Sequence, residues 1–268
     1  MMNYRQAPIG IFDSGVGGLS VAREIFARLP QENAIYFGDD RRFPYGPRPA
    51  EQVQRFALQI GDFLFGLGVK MLVAACNTVS AVALPLLAAR FPVPVLGVIE
   101  DTVHYAAPLS RRKRVGVLAT PSTVASNAYP RAFRAIDPQI EVVQVASQFL
   151  VNLVENGNSD KQGALSATLR AIAPFRRAEV DVLILGCTHY PYLTTKMVEL
   201  LGDLAQIVDP AIAVSLRVER ELTARGILNE TKQGQNIFYT SGDAGRFRTV
   251  GQQLEPGVQD VREMRWQE

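Results

Sequence analysis

The 268-residue sequence contains only two cysteines, two histidines and one tryptophan. It also lacks any run of about 18 uninterrupted apolar residues, which argues against a membrane-spanning helix. Its 28 basic and 26 acidic residues leave a net charge of +2, which favours neither a nucleic-acid nor a membrane partner. The first apolar run is reached without a signal-like segment, so we expect a cytoplasmic protein.

The scarcity of cysteine restricts what Cys76 and Cys187 can do. Neither has a second cysteine close by in the sequence, so the closely spaced thiolate pairs of a zinc site are missing. A structural disulfide is disfavoured in the cytoplasm. We therefore predict that the protein uses no metal and that both thiols are free.

Each cysteine follows an apolar run that is typical of a buried strand. Residues 71–75 precede Cys76, and residues 182–185 precede Gly186 and Cys187. Runs rich in valine, leucine and isoleucine suit the covered strands of a parallel sheet. Open α/β sheets bind their ligands beyond the carboxyl ends of the strands. Both cysteines are therefore predicted to lie at a binding crevice.

The second half of the chain repeats the pattern of the first. Residues 114–120 resemble residues 8–14, and each half then places one cysteine at the end of a strand. Similar offsets at two points indicate two related units. We predict an α/β fold with two pseudo-symmetric flavodoxin-like domains, mainly parallel sheets and an active site at the domain interface. Residues 1–98 plus 210–268 are predicted to form the first domain and residues 99–209 the second.

Apolar periodicity and turn residues predict the individual elements. The predicted strands cover residues 9–12, 34–37, 71–75, 93–98, 114–120, 141–145, 182–185, 206–208 and 237–240. The longer predicted helices cover residues 19–29, 51–67, 79–90 (interrupted by Pro85), 122–135, 164–175, 211–225 and 244–254. Residues 40–49, rich in proline, are predicted to form a rigid loop whose Tyr45-Gly46 tip covers a ligand.

A glycine-rich turn is predicted between the first strand and the first helix. Residues 13–18 read Asp-Ser-Gly-Val-Gly-Gly, and such a turn directs backbone N–H groups toward an anion. The turn lacks the Lys-Ser/Thr of a phosphate loop and the full spacing of a dinucleotide motif. A small carboxylate therefore suits it better than a nucleotide.

Two thiols that approach one crevice from opposite sides suit inversion at a tetrahedral carbon. One thiolate would remove a proton from one face, and the other cysteine would return a proton to the opposite face. A free thiol has a pKa of about 8.5, close enough to neutrality to act as base and acid in turn. From their positions at the strand ends, Asp13 is predicted to assist Cys76 and His189 to assist Cys187.

Four motifs in this order, at residues 13–18, 44–46, 76–78 and 186–189, resemble those of glutamate racemase in the cofactor-independent aspartate/glutamate racemase superfamily. The resemblance extends over nearly the whole chain and includes residues 238–243. It implies interconversion of L- and D-glutamate without a cofactor, with D-glutamate supplied to peptidoglycan synthesis. A homodimer is the expected assembly, with neither nucleic acid nor membrane as a partner.

The resemblance also assigns roles by position. It implies that Cys76 exchanges the proton on the D face and Cys187 the proton on the L face, with Asp13 and His189 as further catalytic residues. The positions that match substrate-contacting residues of the family are Asp13, Ser14, Tyr45, Gly46, Asn77, Thr78, Thr123, Thr188 and His189. Glu155 matches a possible auxiliary position.

Three stretches depart from the family pattern. Asp101 stands where many relatives have proline, residues 146–148 read Ala-Ser-Gln in place of Ala-Cys-Pro, and Asn152 replaces a usual proline. We expect these positions, Ser147 among them, to lie away from the thiols. They should then affect the domain interface in detail rather than the reaction.

Three other functions fit the same residues. A racemase for aspartate would use the same two thiols. A hydrolase or lyase with a single nucleophilic cysteine would leave the second cysteine dispensable. A non-catalytic, two-lobed binder of small acids would keep its function without either thiol. The pairing of Cys-Asn-Thr with Cys-Thr-His disfavours the last two.

Overall fold

The computed structural model describes residues 4–155, 162–230 and 233–266. Its strands are β1 (Ile9–Asp13), β2 (Ala34–Gly38), β3 (Met71–Ala74), β4 (Val95–Leu96), β5 (Arg114–Ala119), β6 (Glu141–Ala146), β7 (Val182–Gly186), β8 (Gln206–Val208), β9 (Asn236–Thr240) and β10 (Val261–Glu263). Its helices are α1 (Leu19–Arg28), α2 (Ala50–Gly66), α3 (Asn77–Val82), α4 (Leu84–Arg90), α5 (Ile99–Ala106), α6 (Pro121–Ser126), α7 (Ala128–Ile136), α8 (Gln148–Glu155), α9 (Gln162–Arg177), α10 (Thr194–Leu201), α11 (Pro210–Ala224) and α12 (Ala244–Leu254).

The strands form two sheets, and the central strands follow the same order in both. The first sheet has the order β10-β9-β2-β1-β3-β4, and the second has the order β6-β5-β7-β8. The strand pairings in the described part of the chain are all parallel. The series β2-β1-β3-β4 therefore corresponds to β6-β5-β7-β8. The predicted α/β fold with two mainly parallel sheets is confirmed.

The end of the chain returns to the first sheet. β9 pairs with β2, and β10 pairs with β9. The last two strands therefore extend the sheet that the first strands of the chain begin. The domain boundaries themselves, 1–98 plus 210–268 against 99–209, stay a prediction.

Helices cover both faces of the sheets. The central strands are therefore continuous apolar runs that are buried on both sides. All residues of β1 and of β7 are buried. α1 buries Leu19, Ala22 and Ile25 at the spacing of an amphipathic helix. β6 lies at an edge of the second sheet and is only partly buried. Among the described helices, none combines the length and the apolar character that crossing a membrane requires.

Two of the predicted helices are each divided in the structure. The interrupted helix predicted over residues 79–90 is α3 followed by α4, which meet at Ala83. Pro85 lies in the first turn of α4, where a backbone N–H has no acceptor within the helix. The N–H that proline lacks therefore costs no intrahelical hydrogen bond. The single helix predicted over residues 122–135 is also two helices. Asn127 has a φ of 53° in the left-handed region and separates α6 from α7.

The predicted strands differ from the structure at both edges of the first sheet. β4 covers only Val95–Leu96, because prolines at positions 92 and 94 lack the backbone donor that a longer strand would need. β10 was not predicted. It has three residues of which only Val261 is buried, so its apolar pattern is too short to stand out in the sequence.

Hydrogen bonds between buried groups join the two halves of the molecule. The Tyr129 hydroxyl of α7 donates to Asn77 Oδ1 of α3 at 2.7 Å. The Ser20 hydroxyl of α1 donates to the carbonyl oxygen of Thr188 at 3.1 Å. Asn77 and Thr188 directly follow the two cysteines. These bonds therefore help to fix the spacing between the two strand ends that carry the thiols.

We expect Tyr129→Phe to lower the free energy of unfolding by about 1–3 kcal/mol, because it leaves a buried amide oxygen without its donor. Chemical denaturation followed by circular dichroism measures this change. Tyr105→Phe, which removes an exposed hydroxyl, is the matched control and should stay within about 0.5 kcal/mol of the parent protein. Equal effects of the two changes would show that the bond between Tyr129 and Asn77 contributes nothing specific.

Candidate active site

The carboxyl ends of β1, β3, β5 and β7 meet around one cavity. Within each sheet, two of these strands are the adjacent pair at which the strand order reverses, which is where open α/β sheets bind ligands. The cavity is narrow: it encloses about 280 Å³ of space between the atoms, open solvent included. The residues that line it are Ser14, Phe43, Pro44, Tyr45, Gly46, Cys76, Asn77, Thr78, Thr120, Gln148, Val151, Cys187, Thr188 and His189.

Both cysteines line this cavity, one from each sheet. Cys76 follows β3 and Cys187 follows β7, and both thiols are free and buried. The other predicted substrate-binding residues that line the cavity are Ser14, Tyr45, Gly46, Asn77, Thr78, Thr188 and His189. Asp13, Thr123 and Glu155 lie behind the lining residues and hydrogen-bond to them.

A chain of polar contacts leads away from Cys187. Its Sγ lies 3.8 Å from His189 Nδ1, and His189 Nε2 lies 2.6 Å from Glu155 Oε1. Burial lowers the pKa of His189, but the hydrogen bonds to Cys187 and Glu155 outweigh burial and raise this pKa to about 10. The raised pKa favours the cationic form of His189 at neutral pH, and this cation lies beside Sγ of Cys187.

The environment of Cys76 is different. Burial, and after it the nearby Asp13 carboxylate, raises the pKa of the Cys76 thiol far above its usual value. Backbone N–H groups of Val79 and Thr78 oppose this rise. Burial also raises the pKa of Asp13, against the opposing effect of His189. Cys76 therefore rests as a thiol, so the two sulfurs start in unlike environments.

Asp13 connects the two halves beneath the cavity. Its Oδ1 accepts hydrogen bonds from the Gly15 N–H at 3.1 Å and from the Ser14 hydroxyl at 3.2 Å. Its Oδ2 accepts a hydrogen bond from the Thr188 hydroxyl at 3.1 Å. The carboxylate therefore organises the glycine-rich turn after β1 and the residue that follows Cys187.

Three threonine hydroxyls form a second connection between the halves. Thr78 Oγ1 and Thr120 Oγ1 lie 2.9 Å apart, and Thr120 Oγ1 lies 3.0 Å from Thr123 Oγ1. Thr78 and Thr120 line the cavity, whereas Thr123 supports them from behind. Hydroxyls can donate or accept, so this cluster can reorient toward a bound carboxylate.

The loop with the Tyr45-Gly46 tip is held by a buried carboxylate, Asp39, that was not predicted from the sequence. Asp39 Oδ2 accepts hydrogen bonds from the Tyr45 hydroxyl and from Arg42 Nε, the latter at 2.6 Å. Its Oδ1 accepts hydrogen bonds from the Ser241 hydroxyl at 2.6 Å and from Trp266 Nε1 at 3.0 Å. The Tyr45 hydroxyl thus supports the loop. A polar residue directly after a buried strand was the available signal for Asp39.

Two glycines allow the halves to approach closely at the cavity. A β-carbon at Gly17 would lie 2.5 Å from His189 Nδ1 and 2.7 Å from Thr188 Oγ1. A β-carbon at Gly46 would lie 2.9 Å from Thr120 Cβ. These distances are shorter than real contacts, so a side chain at either position would displace the side chains that it meets.

Comparison with known proteins decides the family. The sequence pattern of the family described as Asp/Glu/Hydantoin racemase matches residues 9–215. A glutamate racemase of Geobacter metallireducens is 42% identical over 250 residues, which cover 93% of this chain and 93% of that protein. The chain belongs to the Asp/Glu/hydantoin racemase family. It is therefore an amino-acid racemase, which is a kind of isomerase.

Solved structures of racemases have the same fold. A glutamate racemase isoform of Bacillus anthracis superimposes with a TM-score of 0.93 at 33% identity, covering 98% of each chain. A glutamate racemase of Francisella tularensis, solved in complex with D-glutamate, has a TM-score of 0.89 at 33% identity and covers 97% of this chain and 96% of that one.

Some residues that line the cavity of this racemase were not predicted from the sequence: Phe43, Pro44, Thr120, Gln148 and Val151. The expectation that the departures from the family pattern lie away from the thiols was wrong for Gln148. Gln148 begins α8 and lines the same cavity as both cysteines. Chain position alone did not show that the start of α8 turns toward the first sheet.

Apart from His189, the polar side chains of the cavity wall carry hydroxyl, amide and thiol groups. Neither lysine nor arginine is among the described residues that line it, and His189 is its only ionisable nitrogen group. The described part of the chain also contains no cluster of three metal-ligating side chains. Hydroxyl, amide and thiol groups can therefore contact a small acid on most sides.

We expect Glu155→Gln to lower the pKa of His189 from about 10, because the change removes a charged hydrogen-bond partner that raises it. Titration of the protein labelled at histidine, followed by NMR, measures this pKa. The chain has only one other histidine, and exposed His104 serves as the reference signal. Glu199→Gln, on an exposed side chain, is the control. An unchanged His189 titration in Glu155→Gln would contradict the assigned contact.

Proposed function

We propose that this racemase interconverts L- and D-glutamate through a two-base reaction at the α-carbon, with Cys76 and Cys187 as the two bases. The observation that carries the proposal is that one thiol from each sheet lines the same small cavity. The names of relatives that are 38–42% identical over most of the chain support glutamate as the substrate. The structure of one relative in complex with D-glutamate gives further support.

The reaction from L to D begins with removal of the α-proton. The Cys187 thiolate takes this proton and becomes a thiol, while the electron pair remains on the α-carbon and spreads into the α-carboxylate. The Cys76 thiol then gives its proton to the opposite face and becomes a thiolate. The direction from D to L reverses these steps. The substrate loses one proton and gains one proton, so the overall reaction balances without an oxidant, a reductant or a cofactor.

The two auxiliary groups serve different faces in this proposal. The His189 cation lies beside Cys187 and stabilises the thiolate that removes the proton of L-glutamate. Asp13 is near enough to Cys76 to raise the pKa of its thiol, and its own raised pKa makes it a better acceptor for the thiol proton. Glu155 orients His189 from behind. As the resemblance to the family implies, Cys76 serves the D face in this proposal and Cys187 serves the L face.

Neutral groups hold the substrate carboxylates in this proposal. Ser14, Thr78 and Thr188 supply hydroxyls, and the loop around Gly46 supplies backbone donors. Hydrogen bonds from these groups strengthen as the electron pair spreads into the α-carboxylate, so they stabilise the transition state more than the ground state. D-glutamate formed in this way would serve peptidoglycan synthesis. A cytoplasmic homodimer is the proposed form of the enzyme.

We expect Cys76→Ala and Cys187→Ala each to lower racemisation by about 10³-fold or more, because each removes one of the two proton carriers. Circular dichroism with L- and then D-glutamate, without added pyridoxal phosphate and with a chelator, measures racemisation. The same assay with L- and D-aspartate tests the closest alternative substrate. Racemisation that survives in either variant, or that the chelator abolishes, would overturn the two-thiol reaction.

The two variants also serve as controls for each other. In D2O, Cys187→Ala retains the thiol on the D face and should exchange the α-hydrogen of D-glutamate only. Cys76→Ala should exchange the α-hydrogen of L-glutamate only. NMR of the α-hydrogen measures both exchanges. The reverse pattern would keep the two-thiol reaction but exchange the faces assigned to the cysteines.

We expect Asp13→Asn to lower kcat from D to L more than kcat from L to D, and His189→Asn to do the reverse, each by roughly tenfold. The reason is that an auxiliary group matters most when its own thiol must lose a proton. The equilibrium between enantiomers fixes the ratio of the two kcat/KM values, so the asymmetry must be sought in kcat and in primary deuterium isotope effects. Equal losses in both directions for both variants would show that neither residue serves one face.

A further inference from the structure

Gln148 is a polar side chain in the cavity that the reaction described above does not use. It begins α8 in the second half of the molecule and lines the cavity together with both cysteines. Its side chain reaches the opposite wall, where Oε1 lies against Gly46. A β-carbon added at Gly46 would lie only 2.4 Å from this oxygen. Gln148 therefore crosses the cleft and meets the loop of the first half.

The two ends of the Gln148 amide are in different situations. Its Nε2 donates to Asn152 Oδ1 at 3.3 Å, one turn further along α8. Its Oε1 is buried and has no hydrogen-bond partner among the described residues. A buried acceptor without a donor costs free energy, so such an atom in a binding cavity indicates a partner supplied by the ligand.

The ligand group that can satisfy this acceptor follows from the chemistry of an amino acid. At neutral pH, both carboxylates of an acidic amino acid are acceptors only, and the α-ammonium group is its only strong donor. A hydrogen bond from an ammonium group to an amide oxygen is charge-assisted and therefore stronger than a neutral one. Gln148 and Asn152 both depart from the family pattern, and both belong to α8. The hydrogen bond between their side chains is therefore formed by two residues that the family pattern does not have.

We propose that Gln148 Oε1 accepts a hydrogen bond from the α-ammonium group of the substrate and that Asn152 holds the amide in the orientation this requires. The inference rests on the proposed function, because it takes the substrate to be an amino acid bound between the two thiols. Gln148 is then a substrate-binding residue, and Asn152 is a positioning residue that acts through it. The pair orients the α-carbon between Cys76 and Cys187.

The test compares glutamate with glutarate, a dicarboxylate of the same length that lacks the ammonium group. Gln148→Met keeps the length of the side chain but removes its acceptor. Isothermal titration calorimetry should show that this change weakens glutamate binding about 10- to 100-fold, while glutarate binding stays within about twofold. In the racemase assay, KM should rise with little change in kcat, because the ammonium group is present in both the ground state and the transition state.

Further variants distinguish the loss of this one hydrogen bond from a general disturbance of the fold. Asn152→Ala should weaken glutamate binding in the same direction but less, because Oε1 remains and only its anchor is lost. Gln144→Met is the matched control. Gln144 donates to Asn127 Oδ1 at 3.2 Å in a similar amide pair but is not among the residues that line the cavity. Thermal melts of each variant, and of Gln148→Asn as a second change at the site, monitor folding.

The outcomes distinguish a failure of this inference from a failure of the proposed function. Equal weakening of glutamate and glutarate by Gln148→Met would mean that the amide contacts a carboxylate, and it would overturn this inference alone. Unchanged glutamate binding in Gln148→Met and Gln148→Asn would overturn it as well. If the parent enzyme neither bound nor racemised glutamate, the proposed function would fall and this inference would fall with it.

Discussion

The site depends on one constraint, the parallel direction of the strands in both sheets. Parallel pairing brings the carboxyl ends of neighbouring strands to a single edge of each sheet, and the two edges face each other. The same central strand order in both sheets places Cys76 and Cys187 after equivalent strands. Two thiols on opposite sides of one small cavity are therefore a result of topology. The remaining residues of the site adjust the environment of each sulfur.

Features that depend on local pattern could be predicted from the sequence. The buried strands, the glycine-rich turn and the two cysteines at strand ends follow from runs of apolar residues and the turns that close them. The resemblance added the residues near those motifs, and the cavity lining includes most of them. The fold could be predicted because each of these features rests on residues that are adjacent in the chain, whereas the roles of the individual site residues stay predictions.

Features that depend on packing between distant segments could not be predicted. Thr120 and Gln148 belong to the second half and reach the cavity only when the halves meet. Asp39 looks like an ordinary loop residue until Ser241 and Trp266 arrive from the far end of the chain. Arg42 lies 4.1 Å from the ring centres of both Phe56 and Trp266, so the terminal segment also covers its charge. Burying the Asp39 carboxylate is tolerated because four donors surround it.

The absence of lysine and arginine from the described cavity wall has a consequence for the ionic conditions under which the enzyme can work. An acidic ligand meets no lysine or arginine among the described residues that line the cavity, and the cationic His189 there is buried, where salt screens a charge only weakly. Hydrogen bonds to hydroxyl and amide groups act at short range and are not weakened by a counterion atmosphere, whereas attraction to exposed cationic groups declines as the Debye length shortens. With a net charge of only +2, the protein also exerts little long-range pull on anions. Binding of its substrate should therefore tolerate the changes in salt that accompany osmotic stress.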